Sequence, residues 1–545
     1  MKRKVLKCLA LVLAAGLSAE GANPFLPLWE YIPDGEPHVF EDPAAPGRMR
    51  VYLYGSHDTR RNGYCGFDLV AWSAPVDDLG DWRFDGVIFR SENGADGKPL
   101  NLDGSGDRIY APDVACVKDA DGRKTYYLYP NIVSRIRGNL VAKSDSPTGP
   151  FVVCNWSKDD PKKTVGCMGF DPAVLVDDDG RIYGYWGGNR SFAAELDPAT
   201  MATVKPGTKV VPDLVGGRRQ KGVFKFYEAS SIRKVKGKYV FIYSRWTKDG
   251  EFGLKDSNYT LAYAYSDKPL GPYTYGGTII DGRGRERRDD GTTVVTAHPN
   301  GNTHGSICEI GGRWYVFYHR QCGLDQFSRQ AMVAPITVEV DERPGGKVVI
   351  SEAEYTSEGF ETEGLDPFAR HSAGIACHYT GPQSATAGTK EHFHRYYFTG
   401  PYPEPFRVKD GYAAKDPFDP GVSRCRIVNC TDGSTVGYKY FNFDRTFGVD
   451  GLRLVVKLAP EGVPGKMTVW AVALSESRGG VKVGEFDFAS LHGKEEREVE
   501  ISVDALAKVK GRKALYISFA SESKSQSLCS LVDFRFARAK QENSL

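Results

Sequence analysis

A short aromatic strand recurs five times in the first two-thirds of this chain, and each copy trails an acid or a histidine. The copies are Val51-Tyr52-Leu53-Tyr54, Tyr126-Tyr127-Leu128-Tyr129, Ile182-Tyr183-Gly184-Tyr185, Tyr239-Val240-Phe241-Ile242-Tyr243 and Trp314-Tyr315-Val316-Phe317-Tyr318, with starts 75, 56, 57 and 75 residues apart. Asp34, Asp113, Asp171, Glu228 and His304 lie 10 to 17 residues upstream, one per copy. A period of this length means equivalent supersecondary units that bury their apolar faces on one another. Equivalent positions in a ring of units converge on its axis, so these five side chains are expected around one cavity.

A second marker follows each aromatic strand: an alanine, then a proline a few residues on, as in Ala142-Lys143-Ser144-Asp145-Ser146-Pro147 and Ala264-Tyr265-Ser266-Asp267-Lys268-Pro269. Turn signals such as Asp178-Asp179-Gly180 and Gly311-Gly312 precede the aromatic strands. Inner strand, aromatic strand, Ala…Pro strand and outer strand, in that order, make a four-stranded antiparallel blade. The chain is therefore expected to be all-β. It reads as a five-bladed β-propeller over residues 24–352, a polar linker over 353–369 and a β-sandwich (jelly-roll) domain over 370–541. Alternating strands such as Leu452-Arg453-Leu454-Val455-Val456-Lys457 and Leu531-Val532-Asp533-Phe534-Arg535-Phe536 carry the last assignment.

The 545 residues suit more than one domain. Lys and Arg number 71 against 69 Asp and Glu, a balance that favours neither nucleic acid nor an anionic surface. Lys2-Arg3-Lys4 precedes an apolar run from Leu9 to Leu17 that is too short to span a bilayer, and the small residues Ser18, Ala19, Gly21 and Ala22 follow. Residues 1–22 thus read as a signal peptide, and the protein as exported to the periplasm or beyond, with no membrane attachment after cleavage. Ten cysteines remain once Cys8 leaves with the leader. That even number permits disulfides without fixing their pairing, and no spacing suits a zinc site.

The acids sit among apolar or small neighbours: Pro33-Asp34-Gly35, Ala111-Pro112-Asp113-Val114, Phe170-Asp171-Pro172-Ala173 and Tyr227-Glu228-Ala229-Ser230. Carboxyl groups crowded into a partly dry cavity have their pKa values driven apart, which makes acid/base pairs. Hydrolysis of a glycoside uses such a pair: a protonated carboxyl for the leaving oxygen and a carboxylate to activate water or attack the sugar.

On these strings the chain resembles the family 43 glycoside hydrolases over nearly all of residues 24 to 340. That resemblance implies a five-bladed propeller and an inverting mechanism, with Asp34 as general base, Glu228 as general acid and Asp171 orienting the acid and tuning its pKa. The family's base commonly stands in an Asp-Pro string, whereas here it is Pro33-Asp34-Gly35. The same resemblance places Asp113, the competing candidate for the tuning role, and Arg329 at the bound sugar. It also makes His304 a central histidine that holds water or a cation, with calcium or sodium as structural options. Trp186 and Asp58 are further candidates to line the pocket. No organic cofactor is needed. The implied substrates are terminal α-L-arabinofuranosyl or β-D-xylosyl residues of a polysaccharide or oligosaccharide, with β-D-galactofuranosides or an endo-arabinan as alternatives. A propeller lectin without catalysis is the reading from another class. The C-terminal strands, through Val436-Gly437-Tyr438-Lys439-Tyr440-Phe441 and Val532-Asp533-Phe534-Arg535-Phe536, resemble a family 6 carbohydrate-binding module.

Overall fold

The computed structural model describes residues 21–539 apart from 61–62, 103, 135, 255–256, 289, 300–301, 383–398 and 406–424. The expected leader up to Glu20 and the chain beyond Ala539 lie outside the described residues. The described chain is all-β. Four of the repeated units each form a four-stranded antiparallel sheet with strands in sequence order. The first sheet holds β1 (Glu36–Glu41), β2 (Met49–Tyr54), β3 (Asp68–Pro75) and β4 (Arg83–Arg90). The second holds β5 (Ile109–Lys118), β6 (Lys124–Ile132), β7 (Ala142–Ser144) and β8 (Val152–Val153). The third holds β9 (Ala173–Val176), β10 (Ile182–Trp186), β11 (Phe192–Leu196) and β12 (Val211–Pro212). The fourth holds β13 (Phe226–Val235), β14 (Lys238–Trp246), β15 (Tyr259–Ser266) and β16 (Thr274–Ile280). A hairpin of β17 (Arg285–Arg287) and β18 (Thr293–Val295) leads to a three-stranded sheet of β19 (Ser306–Ile310), β20 (Arg313–Gln321) and β21 (Arg329–Ile336). The hairpin of β22 (Val338–Val340) and β23 (Val348–Ile350) follows.

The aromatic strands are explained by burial on both faces. In β10, Tyr183 and Tyr185 join an apolar cluster with Phe226 and Phe241 of the fourth sheet, while Ile182 and Trp186 join another with Tyr129 and Val141. A strand covered on both sides uses large apolar side chains at successive positions rather than alternating with polar ones. The first strands pack in a cycle: β1 on β5, β5 on β9, β9 on β13, β13 on β19, and β19 back on β1. The start of the described chain is fastened to β21 of the last of these sheets. The Asn23 side chain donates to Val333 O (2.6 Å) and accepts from Val333 N (2.9 Å), and its backbone N–H donates to Ser357 O (2.9 Å).

The C-terminal strands form two further sheets. One runs β26 (Tyr402–Glu404), β27 (Arg426–Cys430), β34 (Cys529–Arg538), β29 (Leu452–Pro460), β32 (Arg497–Ser502), with β24 (His371–Ser372) also on β34. The other runs β25 (His378–Thr380), β28 (Thr435–Asn442), β33 (Arg512–Ala520), β30 (Lys466–Ala471), β31 (Val481–Asp487). Rings of the two meet, as in Tyr438–Phe534 (4.7 Å) and Phe441–Phe536 (6.2 Å). The stretch 353–369, expected as a polar linker, is docked: Tyr355, Ser357 and Leu365 are buried, and backbone bonds tie Ala353 to Ile279, Ser357 to Lys439 and Leu365 to Tyr440. Its polar backbone is satisfied by both halves of the chain, so one apolar cluster runs from β14 and β20 into the C-terminal sheets.

Candidate active site

Antiparallel register brings the acids to one edge. Glu36 at the start of β1 lies opposite Tyr54 at the end of β2, Tyr110 opposite Asn131, Ala173 opposite Tyr185, and Glu228 opposite Ser244. Residues just before a first strand therefore sit beside residues just after an aromatic strand. Asp34, Asp171 and Ala229, the residue after Glu228, hold φ of 60°, 48° and 67°. Left-handed backbone at three non-glycine positions is local strain held by the surrounding structure, and such strain gathers at functional sites. The β13 ladder also breaks register on both sides of Glu228, a bulge that re-aims the side chain.

Asp34 is buried and held from several sides. Ser56 Oγ donates to its Oδ2 (2.6 Å), and Arg329 Nη1 donates to Oδ1 (3.0 Å) and Oδ2 (3.3 Å). Its backbone N–H donates to His319 Nδ1 (3.2 Å), and His319 Nε2 lies 2.9 Å from Asn302 Oδ1, which fixes the imidazole as the neutral Nε2–H tautomer. Burial holds His319 down to about 3 against the pull of Asp34, in keeping with that neutral form. Burial pushes the Asp34 carboxyl up, but the Arg329 charge leads the opposing effects and holds it at about 2. Arg329 also forks onto Asp58 through Nε (2.8 Å) and Nη2 (2.9 Å), a bidentate geometry that only guanidinium offers.

Asp171 accepts from Asn131 Nδ2 (2.6 Å) and from the Ala229 N–H (2.9 Å), so it grips the backbone immediately after Glu228. His304 Nδ1 stands between Asp34 Oδ1 (3.7 Å) and Asp171 Oδ2 (3.8 Å). Burial first, then the charges of Glu228 and Asp34, raise Asp171 to about 7, against the pull of His304. Glu228 is half-buried; burial and the negative Asp34 raise it to about 8, opposed by Arg329. Both carboxyls therefore titrate above the ordinary carboxylate range.

Asp34, Asp58, Asp171, His304 and Arg329 thus form one connected group, and Glu228 joins it through Ala229 and the shared field. Two expected sugar contacts are placed elsewhere. Asp113 pairs with Tyr129 inside the β5–β6 ladder and is spent on His38 Nε2 (2.8 Å) and the Val174 N–H (2.6 Å), beside Glu36 and Arg233. Trp186 is 7% exposed and stacks on Phe192 (5.9 Å) in the cluster between the second and third sheets.

Several partners escaped the sequence reading: Ser56, Asn131 and His319. All lie one or two residues past an aromatic strand, the position that faces the acids, so that offset was the available signal. An aromatic wall adjoins Glu228. Tyr227 and Tyr259 approach to 4.6 Å, Trp246 lies 5.2 Å from Tyr259, and the Arg218 guanidinium covers the Trp246 ring at 3.4 Å. Tyr64, edge-on to Phe327 (5.0 Å), lies beneath Arg329, whose guanidinium is 4.9 Å from its ring; burial holds its hydroxyl up at about 12.

The family model for glycosyl hydrolases family 43 matches residues 48–344. The chain belongs to that family. It is accordingly a glycoside hydrolase. The matched stretch contains Asp58, Asp113, Asp171, Trp186, Glu228, His304 and Arg329, and begins after Asp34. A xylosidase/arabinosidase of Thermoclostridium stercorarium is 34% identical over 466 residues, covering 82% of this chain and 88% of the relative. A xylosidase/arabinosidase of Bacteroides ovatus is 29% identical, covering 53% of this chain and 86% of the relative. An arabinoxylan arabinofuranohydrolase of Paenibacillus polymyxa is 28% identical, covering 50% of this chain and 43% of the relative.

Proposed function

We propose that this family 43 enzyme is an exported, inverting, exo-acting glycosidase that releases terminal α-L-arabinofuranosyl or β-D-xylosyl residues from a polysaccharide or oligosaccharide. The sheets that cycle through β1, β5, β9, β13 and β19 are read as a five-bladed propeller, and the two C-terminal sheets as a β-sandwich of carbohydrate-binding-module type. The carrying observation is the split within one buried group: Asp34 held at about 2 and Glu228 at about 8. Near neutral pH one carboxyl is ionised and the other keeps its proton, which is the division of labour inversion requires.

Glu228 gives its proton to the glycosidic oxygen as the bond from the anomeric carbon breaks. Asp34 takes a proton from the water that attacks that carbon from the opposite face. The sugar leaves as a hemiacetal of inverted configuration, and the acid and base exchange their proton through solvent. Arg329 keeps Asp34 ionised and in place. Asp171 holds Glu228 through the Ala229 N–H, and its negative charge opposes loss of the acid proton. The aromatic wall of Tyr227, Trp246 and Tyr259 offers apolar faces for a sugar ring. A calcium or sodium ion near His304 would be structural only, and none of these steps passes through it.

The names of the relatives support the pentosyl choice. A panel of nitrophenyl α-L-arabinofuranoside, β-D-xyloside and β-D-galactofuranoside tests it, with proton NMR of the first-formed sugar. Pentose release with inverted anomeric configuration is expected. Retained configuration would sink the single-displacement mechanism. Activity confined to the galactofuranoside or to internal arabinan bonds would replace the substrate, and sugar binding without release would favour a lectin.

A further inference from the structure

The turn between β20 and β21 is held from two sides. On one side Gln326 accepts from the Tyr64 hydroxyl and Phe327 packs on the Tyr64 ring; the turn ends at Arg329, which grips Asp34 and Asp58. On the other side the C-terminal strands close over Cys322 and Gly323. Gly323 N–H donates to Pro403 O (2.8 Å), and Cys322 Sγ lies 3.2 Å from the same oxygen. Cys425, just ahead of β27, places its Sγ 4.0 Å from Cys322 Sγ and 3.3 Å from Glu404 O. Both cysteines are 0% exposed. Gly374 makes room for Cys425: a β-carbon there would stand 2.5 Å from Cys425 Cβ. All ten described cysteines carry free thiols.

We infer that Cys322 and Cys425 are a disulfide site that locks the C-terminal sheets onto the turn carrying Arg329. The two sulfurs need approach by only about 2 Å to reach bonding distance, within the sweep of a cysteine χ1 rotation. The hydrogen bond from Cys322 and the nearby Arg320 guanidinium draw the Cys425 thiol below its ordinary range despite burial, while burial pushes Cys322 up. Arg320 is itself fixed by donating to Gly374 O (2.5 Å) and Ala376 O (2.9 Å), so its charge cannot swing away.

The oxidant is a disulfide of the thiol-oxidoreductase or glutathione class. The Cys425 thiolate attacks one of its sulfurs, and a mixed disulfide forms as the first thiolate leaves. Cys322, deprotonated in turn, attacks Cys425 Sγ and expels the second. Two protein thiols become one S–S bond, the oxidant is reduced to two thiols, and those thiols take up the two protons. Both cysteines are enclosed in the folded chain, so the exchange belongs to folding, before the C-terminal strands close on the turn. In the cell it rests on the proposed export, because only an oxidising compartment keeps such a bond.

The full-length chain, reduced and unfolded, is refolded in a glutathione redox buffer, quenched with N-ethylmaleimide and mapped without reduction. This buffer supplies the oxidant whatever the compartment, so pairing is tested apart from export, which a signal-peptide reporter fusion tests separately. The expected result is a cross-link joining the peptides that carry Cys322 and Cys425 in active protein. Active protein with both residues alkylated would overturn the inference. Reduction of the cross-linked protein should lower Tm by roughly 5 °C. The Cys322→Ser/Cys425→Ser double variant should show no response to reductant. A cross-link whose reduction leaves Tm unchanged would refute the locking role.

Discussion

Replacing Glu228 with Gln removes a proton and keeps the shape, so it isolates the acid. With its value at about 8 rather than the usual 4.5, Glu228 is about 90% protonated at pH 7 instead of about 0.3%. The surroundings therefore raise the population of competent acid about 300-fold. A sugar alkoxide cannot leave without that proton, whereas a dinitrophenolate can. The variant should lose roughly 10²–10⁴-fold in kcat/KM on an arabinoxylo-oligosaccharide but stay within about 10-fold on a dinitrophenyl pentoside. The wild-type profile on the oligosaccharide should fall on its alkaline side near about 8, where Glu228 loses its proton. That limb should vanish in the variant. Equal losses on both substrates, or a surviving limb, would show that the leaving oxygen takes its proton from another group.

Asp171→Asn keeps a residue that tolerates positive φ but turns an amide group toward one of two donors, the Asn131 side chain or the Ala229 N–H. One lost bond of about 1–3 kcal/mol translates to a 5- to 150-fold fall in kcat. Without the Asp171 charge the alkaline limb should move to lower pH, and a limb that rises would contradict the tuning role; kcat/KM against pH reads it. Arg329→Lys replaces a fork across two carboxylates with a single ammonium. It should cost about 10²-fold or more in kcat/KM and move the acidic limb upward, because less positive charge holds Asp34 down. His57, bonded to Asp68 (2.9 Å) and near Glu30 (3.4 Å), is raised to about 10 although burial opposes its charge. A folded value above the ordinary one stabilises fully below about 6.5, and that contribution is lost as pH climbs through about 10. Thermal midpoints of the wild type should therefore fall over that window more than those of His57→Gln; parallel curves would rule the effect out.

The repeat of aromatic strands was legible because those sheets are covered on both faces, and five copies of one demand leave a strong trace. The same two-sided burial hid the fate of Trp186. On a sheet exposed on one face, alternation tells inside from outside, but in β10 every residue is inside. Asp34 and Asp171 were legible because they precede their strands, where the backbone turns to positive φ and both carboxyls come within reach of His304. Asp113 carries the same local chemistry but stands within the β5 ladder opposite Tyr129, and its carboxyl is consumed by His38 and Val174. Depth along a strand depends on register, which the string around Asp113 does not encode. The docking of 353–369 was likewise hidden, since its polar composition says nothing about which backbone groups find partners.

The bond between Asn23 and Val333 sets a limit on how far the start of this chain can be cut back without loss of contact. One amide side chain, only one residue beyond the expected leader, clasps the start of the described chain onto β21. Any cut that preserves this bond must fall ahead of Asn23. A cut past it would strip both Val333 backbone groups of their side-chain partner and leave them exposed along the edge of β21.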